Sequence, residues 1–354
     1  MNILWLNHRD PLSPQAGGAE RTILEIGKRF VSRGHNVTIY STMWKGAKKE
    51  DIIDGIKIVR LGGYIEIHLK LPIFLFKNRY DIIINDLAHA IPWPLASIIG
   101  KRNLVFFRHL HARSLPGQVN PFLSKIIAAI EKLYPLIYRN NKFITESSTS
   151  EEDLIKLGIK KENIIRIPPG VDLEVFHTGK KTSNVQLIYF GGFRNYKRPD
   201  LLLKVYEQVS NKIKDLKIVV AGEGKLAERL KEVSYSNNYN IIFLGRVDQE
   251  RLSELIRESW VNLHFSVTEG WGYSILESSA SGTPTISFKV PGVVETIKNG
   301  YNGFLVENID EFGKCIDKII KDIETYSENS RKFAEAFNWD KTFEMWMEAI
   351  GKIY

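Results

Sequence analysis

Residues 3–40, ILWLNHRDPLSPQAGGAERTILEIGKRFVSRGHNVTIY, decide the fold class of this chain. A short apolar run opens the stretch, and a turn-rich loop leads into residues 19–33, where apolar side chains recur at helical spacing. Gly34 ends that segment, and the apolar residues 37–40 follow it. A strand, a helix and a second strand in this order predict a βαβ unit of a parallel sheet.

The same alternation of apolar strands and amphipathic helices continues along the chain. Further strands are predicted at residues 56–61, 82–85, 104–107, 142–145, 186–190, 217–221, 241–244, 261–265 and 285–288. A Pro- and Gly-containing polar stretch interrupts the pattern near residues 165–183, as in an inter-domain linker. The alternation therefore predicts two Rossmann-like α/β domains in series.

We place the domain boundaries from this interruption. The N-terminal domain is predicted to span residues 1–168, the linker residues 169–184 and the C-terminal domain residues 185–335. The last segment, residues 336–354, has apolar side chains on one helical face and could pack back on the N-terminal domain.

Composition excludes several classes of protein. A chain of 354 residues can support two hydrophobic cores, and 44% hydrophobic with 25% charged residues is typical of a folded globular protein. One cysteine, Cys315, excludes an internal disulfide. The net charge of +8 favours an anionic partner in general, whether a nucleotide, a lipid or a nucleic acid, although a merely soluble basic surface remains an equal alternative.

The sequence also bears on location. Its apolar runs fall well short of the roughly 20 residues that cross a bilayer, and the N-terminus lacks the pattern of a signal peptide. We therefore expect a cytoplasmic protein, with peripheral contact at the inner face of the membrane left open.

The strongest local signal is EGWGYSILE, residues 269–277, directly after a predicted strand. Ligands of α/β sheets bind at the carboxyl ends of strands, and the helix predicted to start here would point backbone N–H groups at an anion. Either glutamate alone is an ordinary surface residue, but the pair around a glycine loop favours a binding site. The candidate residues of this stretch are Glu269, Gly270, Trp271, Gly272, Tyr273 and Glu277.

A second signal, GGFRNYKRP at residues 191–199, follows the first strand of the C-terminal half. A glycine turn followed by cations and a helix can hold phosphate groups without a metal ion. Lys197 is the best candidate for a diphosphate contact, and Arg194 is the second. The alternative is a solvated basic loop.

The N-terminal half offers weaker candidates. Gly17 and Gly18 open the first helix, where a glycine pair can equally be a tight turn. His109 and His111 follow a predicted strand, and a histidine there is as often structural as functional.

Taken together, these motifs resemble those of the retaining glycosyltransferases of family 4, also called group 1. The resemblance covers nearly the whole chain, through Gly17-Gly18-Ala19-Glu20, Gly170-Val171-Asp172, the Lys197 loop, and the pair Glu269 and Glu277. It implies the GT-B architecture, in which two Rossmann-like domains face each other across a central cleft.

The resemblance also implies roles for individual residues. Glu269 would contact the donor sugar, Glu277 the ribose hydroxyls and Lys197 the diphosphate. The glycine loop at Gly17 would approach the phosphates and the acceptor side, and His109, with His111 as the alternate, would contact the donor sugar. Two positions depart from the family pattern: Gly192 stands where an arginine is frequent, and Pro169 where an asparagine is frequent.

The activity that the resemblance implies is transfer of a hexose from a UDP- or GDP-sugar to an acceptor hydroxyl, with retention at the anomeric carbon. The C-terminal domain would bind the nucleotide sugar, and the N-terminal domain the acceptor, a sugar or a lipid-linked sugar. The sequence has no Asp-x-Asp motif, so we expect neither a metal nor another cofactor. We expect no nucleic-acid partner.

Alternatives of the same architecture remain open at this stage. They are a sugar-nucleotide epimerase, a sugar phosphorylase and a non-catalytic subunit that binds a sugar nucleotide. Hydrolysis is disfavoured, because Glu269 and Glu277 straddle a loop and a helix start, whereas a retaining glycosidase needs two carboxylates about 5 Å apart. Apolar residues and cations alternate in residues 69–79 and a basic run occupies residues 45–49, which suits either an anionic membrane surface or a buried element beside a solvated loop.

Overall fold

The computed structural model describes residues 1–99, 102–114, 120–224 and 226–352. The chain forms two compact units. One comprises Met1–Pro169 together with Trp339–Tyr354, and the other comprises Gly170–Asn338. Each unit is built around its own sheet.

The described part of the first unit has an eight-stranded sheet with strand order β3-β4-β2-β1-β5-β6-β7-β8. Its strands are β1 (Asn2–Leu6), β2 (Asn36–Ser41), β3 (Glu50–Ile53), β4 (Ile56–Arg60), β5 (Ile82–Asp86), β6 (Asn103–Phe107), β7 (Lys142–Thr145) and β8 (Ile164–Arg166). Strand β3 is antiparallel to β4, and the other neighbours pair in parallel. The helices that follow these strands are α1 (Gly18–Ser32), α2 (Glu66–Lys77), α3 (Pro94–Ile99), α4 (His111–Ser114), α5 (Pro121–Glu131), α6 (Tyr134–Ile137) and α7 (Ser148–Leu157).

The described part of the second unit has a six-stranded parallel sheet with strand order β11-β10-β9-β12-β13-β14. Its strands are β9 (Gln186–Phe190), β10 (Lys217–Ala221), β11 (Ile241–Gly245), β12 (Val261–His264), β13 (Thr285–Phe288) and β14 (Gly303–Val306). Its helices are α8 (Leu201–Val209), α9 (Ala227–Ser236), α10 (Gln249–Glu258), α11 (Tyr273–Ala280), α12 (Phe312–Lys321) and α13 (Ile323–Ala334). The prediction of two Rossmann-like α/β domains is confirmed.

Three strands of the structure, β3, β8 and β14, were not predicted. Each lies at an edge of its sheet. The side chains of β3 and β8 are only partly buried or exposed. An edge strand needs few apolar residues, so the long apolar runs that mark central strands are missing there.

The last helix, α14 (Trp339–Gly351), packs within the first unit. The Trp346 ring lies 5.2 Å from that of Trp5 and 5.0 Å from that of Phe106, between ring centroids. Phe343 packs edge-on against Phe30 of α1 at 5.0 Å. Conversely, Val171 and Phe176, from the stretch that resembles a linker, are buried in the core of the second unit. None of the helices in the described ranges is long and apolar enough to span a membrane.

The strand order places one switch point in each sheet. Strand β1 lies between β2 and β5, and strand β9 lies between β10 and β12. At such a point the chain leaves two neighbouring strands in opposite directions, which opens a crevice at their carboxyl ends. The Gly17 turn follows β1, Lys197 follows β9 and Glu269 follows β12, so these candidate residues lie in the segments that leave the switch points.

Candidate functional site

In the second unit, the two strongest candidate segments meet at the switch point. Lys197 ends a short 3-10 turn, Asn195–Lys197, that follows β9, and Glu269 lies in the loop that follows β12. The Val267 N–H donates to the Tyr196 carbonyl oxygen at 2.9 Å, which ties the two loops together. The sheet therefore brings together residues that are 72 positions apart in the sequence.

Lys197 Nζ forms an ion pair with Glu269 Oε1. Both side chains are largely buried, at 20% and 13% exposure. A cation and a carboxylate held together at this depth are a fixed dipole, and each orients the other. Such a pair can bind an anion through the ammonium and hydroxyl donors through the carboxylate.

His264, which was not among the residues predicted from the sequence, completes the cluster. Its Nε2 lies 3.2 Å from Glu269 Oε1, and its Nδ1 lies 2.9 Å from the Ser287 hydroxyl on the neighbouring strand β13. A carboxylate only accepts hydrogen bonds, so Nε2 carries the proton and Nδ1 accepts from Ser287. It is the last residue of β12, a strand in which apolar and polar residues alternate, so no local signal in the sequence marks it.

The electrostatics fix the charges of this cluster. Burial by itself would raise the pKa of Glu269, but the Lys197 ammonium and the His264 hydrogen bond hold the pKa well below its usual range. Burial opposes the charge of Lys197, and the Glu269 carboxylate outweighs it and raises the lysine pKa. Burial lowers the pKa of His264. At neutral pH the cluster is therefore a carboxylate, an ammonium and a neutral imidazole.

The backbone of Glu269 is held as firmly as its side chain. Its N–H donates to the Pro291 carbonyl oxygen at 3.1 Å. Gly292 has a φ of +76°, and a Cβ added there would overlap the Glu269 carbonyl oxygen. The close approach of the two loops thus requires glycine at position 292.

The glycine loop after Glu269 leads into α11. Gly272 has a φ of +87° and is the N-cap of that helix. Glycine contributes no capping side chain of its own, and the N-terminus of α11 carries the positive end of the helix dipole. Gly270 and Tyr273 flank this turn, and Glu277 lies one helical turn further on, partly buried.

Trp271 and Arg194 differ in burial: Trp271 is buried, whereas Arg194 is exposed. Trp271 is buried, and its ring packs on Phe337 at 5.6 Å, so the tryptophan supports the loop from within the unit. Arg194 is exposed at the start of the Lys197 turn, three residues after Gly191, whose φ is +127°. The turn can therefore present Arg194 to an anion in addition to Lys197.

In the first unit, Gly17 is the N-cap of α1 and donates its N–H to Glu20 Oε2 at 2.7 Å. Gly18 is the first residue of that helix. The Glu20 side chain is buried and also accepts from Asn7 Nδ2 at 3.4 Å. Asn7 in turn lies 3.1 Å, through Oδ1, from His89 Nδ1. The glycine turn is thus fixed to the carboxyl ends of both switch-point strands, β1 and β5.

Arg108, which was not among the residues predicted from the sequence, holds this turn in place. Its guanidinium forms buried ion pairs with Asp86 at 2.9 Å and Glu146 at 2.7 Å, and it donates to the Ala19 carbonyl oxygen at 3.2 Å. These contacts join the ends of three strands to the first turn of α1. No local pattern marks Arg108, because its partners are far away in the sequence.

His109 and His111 lie together after β6, with ring centroids 4.7 Å apart. His111 is buried; its backbone N–H donates to Glu131 Oε1 at 2.6 Å, and its Nε2 lies 3.0 Å from the Ala88 carbonyl oxygen. His111 is therefore fixed within the unit, whereas His109 is less buried.

A further histidine, His8, follows β1 and is buried against Trp93, with ring centroids 4.4 Å apart. Its Nε2 lies 3.0 Å from His68 Nε2, and Tyr64 stacks on it at 5.4 Å. Burial, with the nearby His68, lowers the pKa of His8 to about 3, so its ring is neutral. In the described residues, no group of three or more histidine, cysteine or carboxylate side chains could hold a metal ion.

Comparison with known proteins agrees with these observations. Residues 172–336 match the family model of the glycosyl transferases group 1, and residues 16–175 match that of glycosyltransferase family 4. The two matches overlap at residues 172–175 and together span residues 16–336.

Individual relatives cover nearly the whole chain. An uncharacterized glycosyltransferase of Haemophilus influenzae is 25% identical in an alignment of 350 positions that covers 94% of this chain and 95% of that protein. The sucrose-phosphate synthase of Thermosynechococcus elongatus has a similar fold, with a TM-score of 0.83 at 20% identity over 99% of this chain and 98% of the other. HepE of Anabaena, solved in complex with UDP-glucose, gives a TM-score of 0.78 at 18% identity over 99% and 100%.

The fold is therefore GT-B, and the chain belongs to the group 1 glycosyltransferases. It is an enzyme that transfers a sugar from a nucleotide sugar.

Proposed function

We propose that this enzyme transfers a hexose from a UDP- or GDP-sugar to an acceptor hydroxyl, with retention at the anomeric carbon and without a metal or other cofactor. The observation that supports this most is the cluster of Lys197, Glu269 and His264 at the switch point of the second sheet. HepE, a protein of the same fold, was solved with UDP-glucose bound.

Lys197 is proposed to bind the diphosphate. As the bond from the anomeric carbon to the diphosphate oxygen breaks, negative charge grows on the leaving group, and fixed donors there stabilise the transition state. Lys197, Arg194 and the N-terminal amides of α11, which begin at Gly272 and Tyr273, are the donors that this chain supplies. The acceptor oxygen bonds to the anomeric carbon, and its proton leaves with the diphosphate.

Glu269 is proposed to accept hydrogen bonds from the hydroxyls of the donor sugar. Its low pKa keeps it ionised, so it is an acceptor and not a general acid. His264 acts on Glu269 and is a positioning residue, because its ring fixes the carboxylate through Nε2. Glu277 is proposed to accept from the ribose hydroxyls, one turn into α11.

In the first unit, His109 is proposed as the histidine that contacts the donor sugar, because it lies nearer the end of β6 and is less buried than His111. The turn at Gly17 and Gly18 would lie near the phosphates and the acceptor. We propose a sugar or a lipid-linked sugar as the acceptor, in glycan synthesis, with the enzyme in the cytoplasm and in peripheral contact with the membrane.

Nucleotide binding tests the donor site. We expect calorimetry in EDTA to show binding of one nucleotide family among UDP, GDP, ADP and their hexose conjugates. Glu277→Ala should weaken that binding by about 1–3 kcal/mol, since the ribose hydroxyls lose a charged acceptor. Glu232→Ala, on the exposed face of α9, is the control and should bind as the wild type does.

The outcomes separate the alternatives. Binding in EDTA that weakens only in Glu277→Ala supports the proposed donor site, and NMR of the product then shows whether the anomeric configuration is retained. If no nucleotide binds, the donor site is wrong. Turnover of the nucleotide sugar without an added acceptor would instead favour an epimerase.

A further inference from the structure

Helix α2 exposes a row of large apolar side chains, here named the α2 stripe. Its members are Ile65 (79% exposed), Leu69 (69%), Ile73 (60%) and Phe76 (91%). At 3.6 residues per turn these four positions fall within a sector of about 80° around the helix axis. The opposite side of α2 buries Ile67 and Leu71 in the core of the unit, so the helix is apolar on two faces.

Other helices of the same unit also expose large apolar side chains. Ile98 of α3, Phe122 of α5 and Leu136 of α6 are 78%, 72% and 73% exposed. Buried residues of α2, α3 and α6 share one core cluster, which places these helices in the same layer of the unit. Among the described residues of the second unit, only Tyr235 of the large apolar residues is more than half exposed.

The charges on these helices are almost all positive. Residues 66–80 and 120–142, which the structure describes throughout, contain two acidic side chains: Glu66, paired with Lys70, and the buried Glu131. The exposed cations of the same two ranges are Lys77, Arg79, Lys125, Lys132 and Arg139. Lys70 and Lys77 flank the α2 stripe along one edge.

We propose that the α2 stripe docks this enzyme on an anionic lipid bilayer. Soluble proteins seldom expose so many apolar side chains on adjoining helices, and apolar side chains flanked by cations are what the headgroup region of an anionic bilayer binds. A second copy of the chain fits less well, since a symmetric interface would bring like charges together. This docking surface would bring the enzyme to a lipid-linked acceptor, and in that respect it rests on the proposed function.

Vesicle flotation of the full chain tests the docking surface. The vesicles contain phosphatidylcholine alone or phosphatidylcholine with phosphatidylglycerol. We expect the wild type to float with the anionic vesicles only, and less as the salt concentration rises. Phe76→Ser and Ile73→Ser should each weaken the partition by about tenfold or more, because each removes an inserted apolar side chain. Lys77→Gln should weaken it by about fivefold.

Tyr235→Ser is the matched control, since Tyr235 is 86% exposed but lies on α9 of the second unit. It should float as the wild type does. Phe76 and Ile73 point out of the core, so circular dichroism should show folded variants. Equal flotation of Phe76→Ser and the wild type, or no flotation of the wild type, would overturn the proposal, as would a dimer in solution that Phe76→Ser disrupts.

The failure of this inference is distinguishable from that of the proposed function. If vesicles do not bind but a nucleotide does, the docking surface alone is wrong. If vesicles bind and no nucleotide does, the donor site is wrong and the docking surface stands.

Discussion

At the scale of single residues, the proposed donor site depends on the largely buried ion pair between Lys197 and Glu269. Each charge compensates the desolvation of the other, and His264 adds a hydrogen bond that keeps the carboxylate in position. A ligand that binds Lys197 through phosphate and Glu269 through hydroxyls would replace part of this pairing. Without a ligand, the ion pair therefore already holds the Lys197 ammonium and the Glu269 carboxylate close to the positions in which they would bind it.

The first prediction concerns this pair. Glu269→Gln leaves a largely buried ammonium without its carboxylate, so we expect a loss of about 1–3 kcal/mol in the free energy of unfolding and about a hundredfold loss in turnover. The double variant Lys197→Met/Glu269→Gln should recover most of the stability, because no buried charge is then left unpaired. It should recover none of the activity, because both groups that are proposed to bind the donor are absent. Urea unfolding and initial rates measure the two effects.

Its control is the exposed pair of Lys289 and Glu307, at 3.6 Å. Glu307→Gln should change stability by less than about 1 kcal/mol. Wild-type turnover in Glu269→Gln would rule out the proposed role of the carboxylate in binding the donor.

At the scale of elements, two loops must approach each other closely to place Glu269. The residues after β12 and those after β13 touch at Gly292, where the backbone has a positive φ and no room for a Cβ. Loop conformation at this site is therefore set by backbone contact, and the position of Glu269 depends on a residue with no functional group.

A pair of glycine substitutions tests this. Gly292 and Gly300 have nearly the same φ, +76° and +77°, but a Cβ at Gly300 would have no atom within 4 Å. Both alanine variants should lose about 1 kcal/mol of stability from the strained backbone. Only Gly292→Ala should also displace Glu269, and we expect it to weaken nucleotide-sugar binding by about tenfold, measured by calorimetry.

Equal binding by the two glycine variants would show that the contact at Gly292 does not position the site. A loss in both would point to general loosening of the second unit, which hydrogen exchange would detect.

At the scale of the whole molecule, the chain crosses between its two units twice. It passes into the second unit after Pro169 and returns to the first after Asn338. Helix α14 then adds Trp346 to the aromatic contacts of Trp5 and Phe106, and Arg29 of α1 pairs with Asp340 at 2.8 Å. The C-terminal segment is thus part of the core of the N-terminal unit.

Truncating Trp346 tests this assignment. We expect Trp346→Ala to destabilise the first unit by about 3–5 kcal/mol, because it empties a large fully buried volume. Hydrogen exchange should therefore speed up in β1 and β6 but not in β9 or β12. Met345→Ala, at an exposed position of the same helix, is the control and should leave both units unchanged. Faster exchange in β9 and β12 alone would contradict the assignment.

The sequence by itself determined the features that depend on local pattern. Apolar periodicity located the central strands and hence the two Rossmann-like domains, while glycine and cation spacing selected Lys197 and Glu269 as candidates. Edge strands such as β3 were not predicted, because their side chains are only partly buried and their sequences therefore contain few apolar residues. Nothing local distinguished His264 from a residue of an ordinary strand.

Only the tertiary structure decided which distant residues meet. The Lys197–Glu269 pair spans 72 positions, the contacts of Arg108 with Asp86 and Glu146 span 22 and 38, and the pairing of Arg29 with Asp340 spans 311. The inward packing of Trp271 belongs with these features. The physical reason is that a sequence pattern reports each segment's own burial and turns, whereas a contact between segments depends on strand order and side-chain packing.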